Sequence, residues 1–484
     1  MIFLIAFVIR LLPEFLSGPY PVGYDLLAGY APSLYVFPDD GSLILFGWAW
    51  SPLTVYILWF FWKLSNVELF LFLKIAGPVF YGMFVLTFYH LLYKGLCWSE
   101  KKSFVTALLF SLQPAVLRTG WDQLREELGF AFLFLLLTKA RLNIITVAIK
   151  KPITVLVLSV LVVLSHQLAA VLLFVVLFWQ SINSLARKNW LSLKTFIVFL
   201  PSIIIFILGV REQFIYPNYS DRVMPIQPPS DTGFFVFTNY FLSDPRFLGG
   251  DYWKVLSYVG GLSLHVVVPL LPLAVKGFFR DKVFTPMLIW LCIASYSIII
   301  YPWFALSYYW WWILLLPIPL TVYVGNALEK IGAFAQKKHF RIMLLGFLLL
   351  CIVSVGYVSS VIKLGYLYAY TYMPSGLVES SVIFEDIPDI IAAFSWINEN
   401  VTVNALIIVP EKFQGFALMY LRSDLKIRVA PPFYTLDKIA WMIKCNENLI
   451  YAIWYMDEIG HIKKLENLAT FGNIAVYQIY TEKL

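Results

Sequence analysis

The sequence predicts a polytopic α-helical membrane protein of about eleven transmembrane helices, followed by a small C-terminal α/β domain. Three observations predict it. The 484 residues are 60% hydrophobic and only 13% charged, with a mean hydropathy of +0.78. Apolar runs follow one another with a basic loop after every second run. After about residue 362 the long apolar runs stop and short helix-period and strand-like runs take over.

The apolar runs lie near 1–16, 67–93, 103–117, 124–138, 152–164, 167–183, 195–210, 254–275, 283–301, 305–326 and 342–362. Each is measured against the roughly 20 residues that a helix needs to cross about 30 Å of hydrocarbon. The first run lacks the small-residue cleavage site of a secretory signal and reads as a retained anchor. The basic loops are Lys94/Lys101/Lys102, Lys139/Arg141/Lys150/Lys151, Arg187/Lys188/Lys194, Lys276/Arg280/Lys282 and Lys330/Lys337/Lys338/Arg341. By the positive-inside rule they face the cytoplasm, so the N-terminus is inside. The alternate loops, with Glu14, Asp25, Asp39, Asp40, Asp122, Glu126 and Glu127, face outside. The formal net charge of +7 therefore reports orientation and not a nucleic-acid partner.

Residues 48–62 are apolar, but a crossing there would reverse every later loop. Their shortness and tryptophan content fit a helix lying at the outer interface. The first outer loop then runs over about 17–66, long enough to hold a site. Residues 211–251, rich in Pro, Gly and polar side chains, read as a second large outer loop over that site. An odd number of spans places residues 376–484 outside as well. This α/β domain has a helix at 387–398 opened by Pro388, strand-like runs at 405–409, 427–429, 449–454 and 474–480, a helical run at 413–421, further runs at 436–443 and 459–468, and a break at Gly472. No Gly-rich nucleotide fingerprint follows a strand. Cys97, Cys292, Cys351 and Cys445 lack metal or redox spacing.

The opening of the chain carries a first span, a long outer loop with Gly23-Tyr24-Asp25, an interfacial Ser51-Pro52-Leu53, a basic inner loop and then the outer turn Arg118-Thr119-Gly120-Trp121-Asp122-Gln123-Leu124-Arg125-Glu126-Glu127. Over roughly residues 1–180 this resembles the GT-C glycosyltransferases, the superfamily of oligosaccharyltransferases, protein O-mannosyltransferases and aminoarabinose transferases. Ser51-Pro52-Leu53 is similar to a degenerate His-Pro-Pro-Leu or Lys-Pro-Pro-Leu. The Trp-Trp-Asp signature of oligosaccharyltransferases is absent, so the resemblance is to a divergent branch.

The resemblance implies a polyprenyl-phosphate-linked (dolichyl-phosphate-like) sugar donor, a lipid, glycan or protein acceptor, and transfer at the outer face of a cell membrane of prokaryotic type. Asp25 matches the family's base; read on its own it is equally a turn residue after Gly23. Because phosphate is already a good leaving group, one carboxylate and a set of cations suffice. The candidates for holding the phosphate are Arg118, Arg125, His166, Arg211, Arg222 and Arg246. Metal-using members imply Mg²⁺ or Mn²⁺, for which Asp122 and Glu126 with Asp25 are the candidate ligands. On one continuous helix Asp122, Arg125 and Glu126 share a face, and there they read alternatively as a dipole-complementing cap with an ion pair. His166 reads alternatively as a packed core residue, and the aromatic run 308–312 as an interfacial belt or a sugar platform. Two other function classes stay open: a sugar or lipid transporter or flippase, and a non-catalytic membrane subunit.

Overall fold

The computed structural model describes residues 1–23, 25–36, 52–188, 192–215, 223–225, 237–238, 252–300, 305–306, 309–332, 382–403, 405–430, 436, 450–459 and 465–479. The expected span at 342–362, the acidic pair Asp39 and Asp40, and the run at 437–443 lie outside them.

Helix α1 (Ile2–Leu16) shows how the bundle is built. Leu4, Val8, Leu12 and Phe15 form an exposed apolar stripe at helical spacing, while Ile2, Ala6, Arg10 and Glu14 on the other side are buried. That buried side packs on α4 (Leu69–His90), so closely that a Cβ on Gly82 would lie 2.8 Å from the Phe3 ring. Between them come a π-helical turn at Leu26–Tyr30, α2 (Ala31–Val36) and α3 (Pro52–Ser65). Helix α3 has 14 residues, about 21 Å at 1.5 Å per residue, and so is too short to cross. Glu68 starts α4 by accepting hydrogen bonds from the Phe70 and Leu71 N–H groups at 3.0 and 2.8 Å.

The bundle continues through α5 (Glu100–Ser111), α6 (Pro114–Asp122), α7 (Leu124–Lys139), α8 (Ile144–Lys150), α9 (Pro152–Ser165), α10 (Gln167–Ala186) and α11 (Ser192–Ile215). It resumes with α12 (Tyr252–Val266), α13 (Leu271–Gly277), α14 (Phe284–Ile300), α15 (Tyr309–Leu315) and α16 (Pro317–Gly332). Among the described residues three helices are long and apolar enough to cross a membrane: Leu69–Gly95, Gln167–Ala186 and Trp310–Leu328. Two bent pairs, α7 with α8 and residues Val255–Val266 with α13, raise that to five. The expected run at 103–117 is broken, since α5 ends at Ser111 and Pro114 opens α6.

The C-terminal region supplies five strands of a six-stranded sheet whose edge strand is β1 (Val223–Pro225), in the order β1-β5-β4-β6-β8-β7. Its members are β4 (Leu406–Pro410), β5 (Lys426–Ala430), β6 (Ile450–Tyr455), β7 (Leu465–Phe471) and β8 (Ile474–Ile479), with α17 (Ile387–Asn400) and α18 (Gln414–Tyr420). β4 pairs in parallel with β5 and β6, and β6 to β8 and β8 to β7 are antiparallel. Every residue of β4 and β6 is buried, as expected of central strands covered on both faces. Gly472, at φ +50°, turns the β7–β8 hairpin in the left-handed conformation glycine favours.

The edge strand was not anticipated. β1 (Val223–Pro225) lies in sequence between α11 and α12 and pairs in parallel with β5. A second small pairing joins β2 (Phe237–Thr238), from the same stretch of sequence, to β3 (Ala305–Leu306). The hydrophobic interior is likewise shared. One buried cluster contains Leu26, Leu27 and Tyr30 from the π-helical turn, Leu124 and Leu128 from α7, and Ile390, Phe394, Phe413 and Phe416 from the C-terminal region.

Candidate active site

The site starts from Arg10 and Glu14, four residues apart on the buried side of α1 and joined at 2.6 Å. Such a pair is held in an apolar interior only if its remaining donors and acceptors are met. Arg10 Nε donates to the Gly120 carbonyl at 2.8 Å, and Arg10 Nη2 donates to the Val22 carbonyl at 3.3 Å. The Val22 N–H donates to Glu14 Oε2 at 3.0 Å. One ion pair thus ties together the loop leading into Asp25 and the helix end leading into Gln123. Lys74 on α4 secures the same loop, donating to Ser17 Oγ at 3.1 Å and to the Gly18 carbonyl.

Asp25 follows directly, at the start of the π-helical turn, and accepts a hydrogen bond from Gln123 Nε2. Gln123 sits at the break between α6 and α7, with φ −114° and ψ 58°. That break corrects the expectation that Asp122, Arg125 and Glu126 share a face of one helix. Asp122 ends α6, whereas Arg125 and Glu126 belong to the first turn of α7. The Arg125 backbone N–H, one of the unpaired donors of that first turn, is taken by the Tyr30 hydroxyl at 3.0 Å.

Arg125 and Arg118 both face Asp25. Burial pushes the Asp25 carboxyl above the usual carboxylate range, while the two guanidinium groups and the Gln123 hydrogen bond pull it back. Burial likewise keeps the Tyr30 phenol protonated. Arg118 is buried, with its guanidinium over the Trp311 ring at 5.6 Å, so the aromatic run serves here as a platform for a cation. Glu126 and Glu127 are buried, and none of their carboxylate oxygens has a hydrogen-bond partner among the described residues. Glu126 lies in the field of both arginines and of Asp25, and Glu127 in that of Arg10.

His166 is the joint between α9 and α10, extended at φ −161° and ψ 137°. Gly129 admits it to α7: a Cβ there would stand 2.8 Å from His166 Cβ and 3.2 Å from Ala169 Cβ. The buried imidazole lies in the field of Arg125, and its Nδ1 has no hydrogen-bond partner among the described residues.

The structure therefore brings together Asp25, Arg118, Arg125, Glu126 and His166 of the residues named from sequence. Arg222, Arg246 and the side chains of Asp122 and Arg211 lie outside the described residues. Sequence reasoning passed over Gln123, Tyr30 and the Arg10–Glu14 pair as parts of a site; the signal available for the pair was two opposite charges four apart within an apolar run. Among the described residues no three His, Cys, Asp or Glu side chains group closely enough to hold a metal ion.

No family model matches the sequence, and neither does the sequence of any curated protein. Solved structures do match. Cryo-EM structures of the arabinofuranosyltransferase AftD from Mycobacteria, one of them a mutant, superpose with TM-scores of 0.52 and 0.53 at 11% and 12% identity. The match covers 99% of this chain in each case, and the chain spans 40% and 42% of the AftD chains. At that identity the likeness shows the fold alone.

Proposed function

We propose that this chain is a membrane glycosyltransferase that moves a sugar from a polyprenyl-phosphate donor to an acceptor hydroxyl at the extracytoplasmic face, with Asp25 as general base. The observation that carries this reading is the placement of Asp25. It is oriented by Gln123 and faced by Arg118 and Arg125, in a fold similar to that of a known glycosyltransferase.

The chemistry follows from the groups present. Asp25 takes the proton of the acceptor hydroxyl as its oxygen bonds to the anomeric carbon. The bond from that carbon to the phosphate oxygen breaks, and its electron pair leaves with the lipid phosphate. The phosphate gains charge in that step, and Arg118 and Arg125 stabilise it through charge-assisted hydrogen bonds. His166, whose Nδ1 is open among the described residues, donates to the same phosphate. The hydrogen bond from Gln123 orients the carboxylate that takes the proton. Asp122 and Glu126 with Asp25 remain the residues that would hold Mg²⁺ or Mn²⁺ in a metal-using variant of this chemistry.

Two experiments test the reading. Mass spectrometry of lipid copurifying with the protein should find a polyprenyl phosphate. Incubation with polyprenyl-phosphate arabinofuranose, chosen because AftD is an arabinofuranosyltransferase, should give covalently transferred sugar. Passage of the labelled lipid across a vesicle membrane without transfer would replace the enzyme with a flippase.

A further inference from the structure

A polar cleft of about 180 Å³ opens at the far end of the bundle from Asp25, lined by Asn143, Thr146, Gln180, Asn183, Arg187 and Lys282. Helix α7 begins beside Asp25 and ends four residues before Asn143, so its 16 residues separate the two sites by roughly 24 Å. The cleft is built and not a gap between side chains. Gln180, itself buried, accepts from the Ile144 N–H at 3.0 Å and donates to the Leu142 carbonyl at 2.8 Å, which fixes the end of α10 against the 140–144 turn. In that turn Arg141 and Leu142 both hold positive φ, at 42° and 60°, a conformation disfavoured for side-chain-bearing residues and found at binding and switch sites. Asn143 Oδ1 caps α8 by accepting from the Thr146 N–H at 3.2 Å.

Two cations, Arg187 and Lys282, stand at the wall of the cleft, and neither side chain has an ion-pair or hydrogen-bond partner among the described residues. Amides and a hydroxyl supply further donors beside them. On the same helices Trp179 and Ile182 of α10 and Ile149 of α8, each within three residues in sequence of a cleft residue, are exposed apolar side chains. An anionic group in the cleft would therefore have hydrocarbon-compatible surface next to it. A basic pocket at the ends of membrane helices is the arrangement that takes phospholipid headgroups.

We propose that this cleft binds the headgroup of an anionic phospholipid, with Arg187 and Lys282 on its phosphate and the acyl chains along α8 and α10. The site is independent of the transfer chemistry proposed for Asp25, and the test reads binding alone.

The full-length protein, delipidated in detergent, is titrated with phosphatidylglycerol, phosphatidylcholine or inorganic phosphate and examined by native mass spectrometry. Phosphatidylglycerol should bind at least tenfold more tightly than phosphatidylcholine, and inorganic phosphate at the same concentration should not displace it. Replacing Arg187→Gln and Lys282→Gln together should weaken phosphatidylglycerol about 25-fold, roughly fivefold per charge. Replacing Lys150→Gln and Lys151→Gln, exposed basic residues outside the cleft, should leave binding unchanged. Equal binding of the two lipids, displacement by phosphate, an unaffected cleft variant, or an equal loss in the Lys150 and Lys151 variant would each overturn the proposal. Both variants change only exposed side chains, and matching thermal unfolding curves confirm that they are folded.

Discussion

Asp25→Asn separates catalysis from folding, because the structure gives the two effects different signs. The substitution preserves shape and leaves an oxygen for the Gln123 Nε2 hydrogen bond, but it removes the charge that accepts a proton. A positioned base contributes about 10²- to 10⁴-fold to rate, or roughly 2.7–5.5 kcal/mol of barrier. Transfer should fall by that factor. Stability should not fall with it. The Asp25 carboxyl is raised above its usual range chiefly by burial, so the folded state binds its proton more tightly than the unfolded state does. Between the unfolded and folded pKa values, stability therefore declines as pH rises, and above the folded value the full penalty of holding a charge there persists. Asparagine carries no such penalty, so its unfolding temperature at neutral pH should equal or exceed that of the wild type. Activity should run the other way, rising with pH as Asp25 ionises. The assay is labelled-sugar transfer in nanodiscs, beside thermal unfolding followed by the emission of the 17 tryptophans. The reasoning fails if Asp25→Asn keeps more than a tenth of wild-type turnover, or if its activity loss merely tracks a lowered unfolding temperature.

Gln123→Ala removes one hydrogen bond to a charged acceptor, worth about 1.5–3 kcal/mol, so kcat should drop roughly 10- to 150-fold, less than for Asp25→Asn; a larger loss would make Gln123 more than an orienting group. Arg125→Gln should raise the donor KM while activity survives excess chelator, and loss in chelator with recovery in Mg²⁺ or Mn²⁺ would move the phosphate from the arginines to a metal. Gly277→Ala should destabilise by about 1–3 kcal/mol, since its Cβ would lie 1.8 Å from the Tyr323 carbonyl oxygen, whereas Gly260→Ala, with nothing within 4 Å, should stabilise by about 0.5–1 kcal/mol; denaturant melts in the same detergent compare them. In a chain whose other cysteines are serine, exposed Cys97 should resist an impermeant thiol reagent applied to intact cells, and a cysteine at exposed Val403 should react; the reverse pattern would invert the proposed orientation.

What the sequence disclosed and what it hid divide along the range of the interactions. The C-terminal helix at 387–398, the strands at 405–409, 427–429 and 449–454, and the turn at Gly472 were legible because local signals set them: Pro388, continuous apolar runs and a glycine break. Asp25, Arg118, Arg125, Glu126 and His166 were legible as chemistry-bearing groups at the ends of apolar runs. The break at Gln123 was not. Asp122-Gln123-Leu124-Arg125 has no glycine or proline, and the chain bends where Arg10 takes the Gly120 carbonyl and Asp25 takes the Gln123 amide, partners 110 and 98 residues away. β1 was hidden for the same reason, since three residues pairing across some 200 positions leave no periodicity to read.

These long-range contacts explain why a carboxylate can be held at one end of a membrane bundle at all. Lipid offers neither hydrogen bonds nor rigidity, so a fixed carboxylate geometry must come from protein behind it. The π-helical turn after Asp25 buries Leu26, Leu27 and Tyr30 completely, and α18 of the C-terminal region packs directly on that turn and on α2. From the opposite side Gln123 donates to Asp25, Arg118 and Arg125 act on it electrostatically, and the Arg10–Glu14 pair fastens the end of α6 to the same loop. The C-terminal region thus backs Asp25 from one side, and the bundle supplies the cations around it. A change that loosened α18 from the turn would be felt at Asp25 without touching Asp25, Gln123 or either arginine.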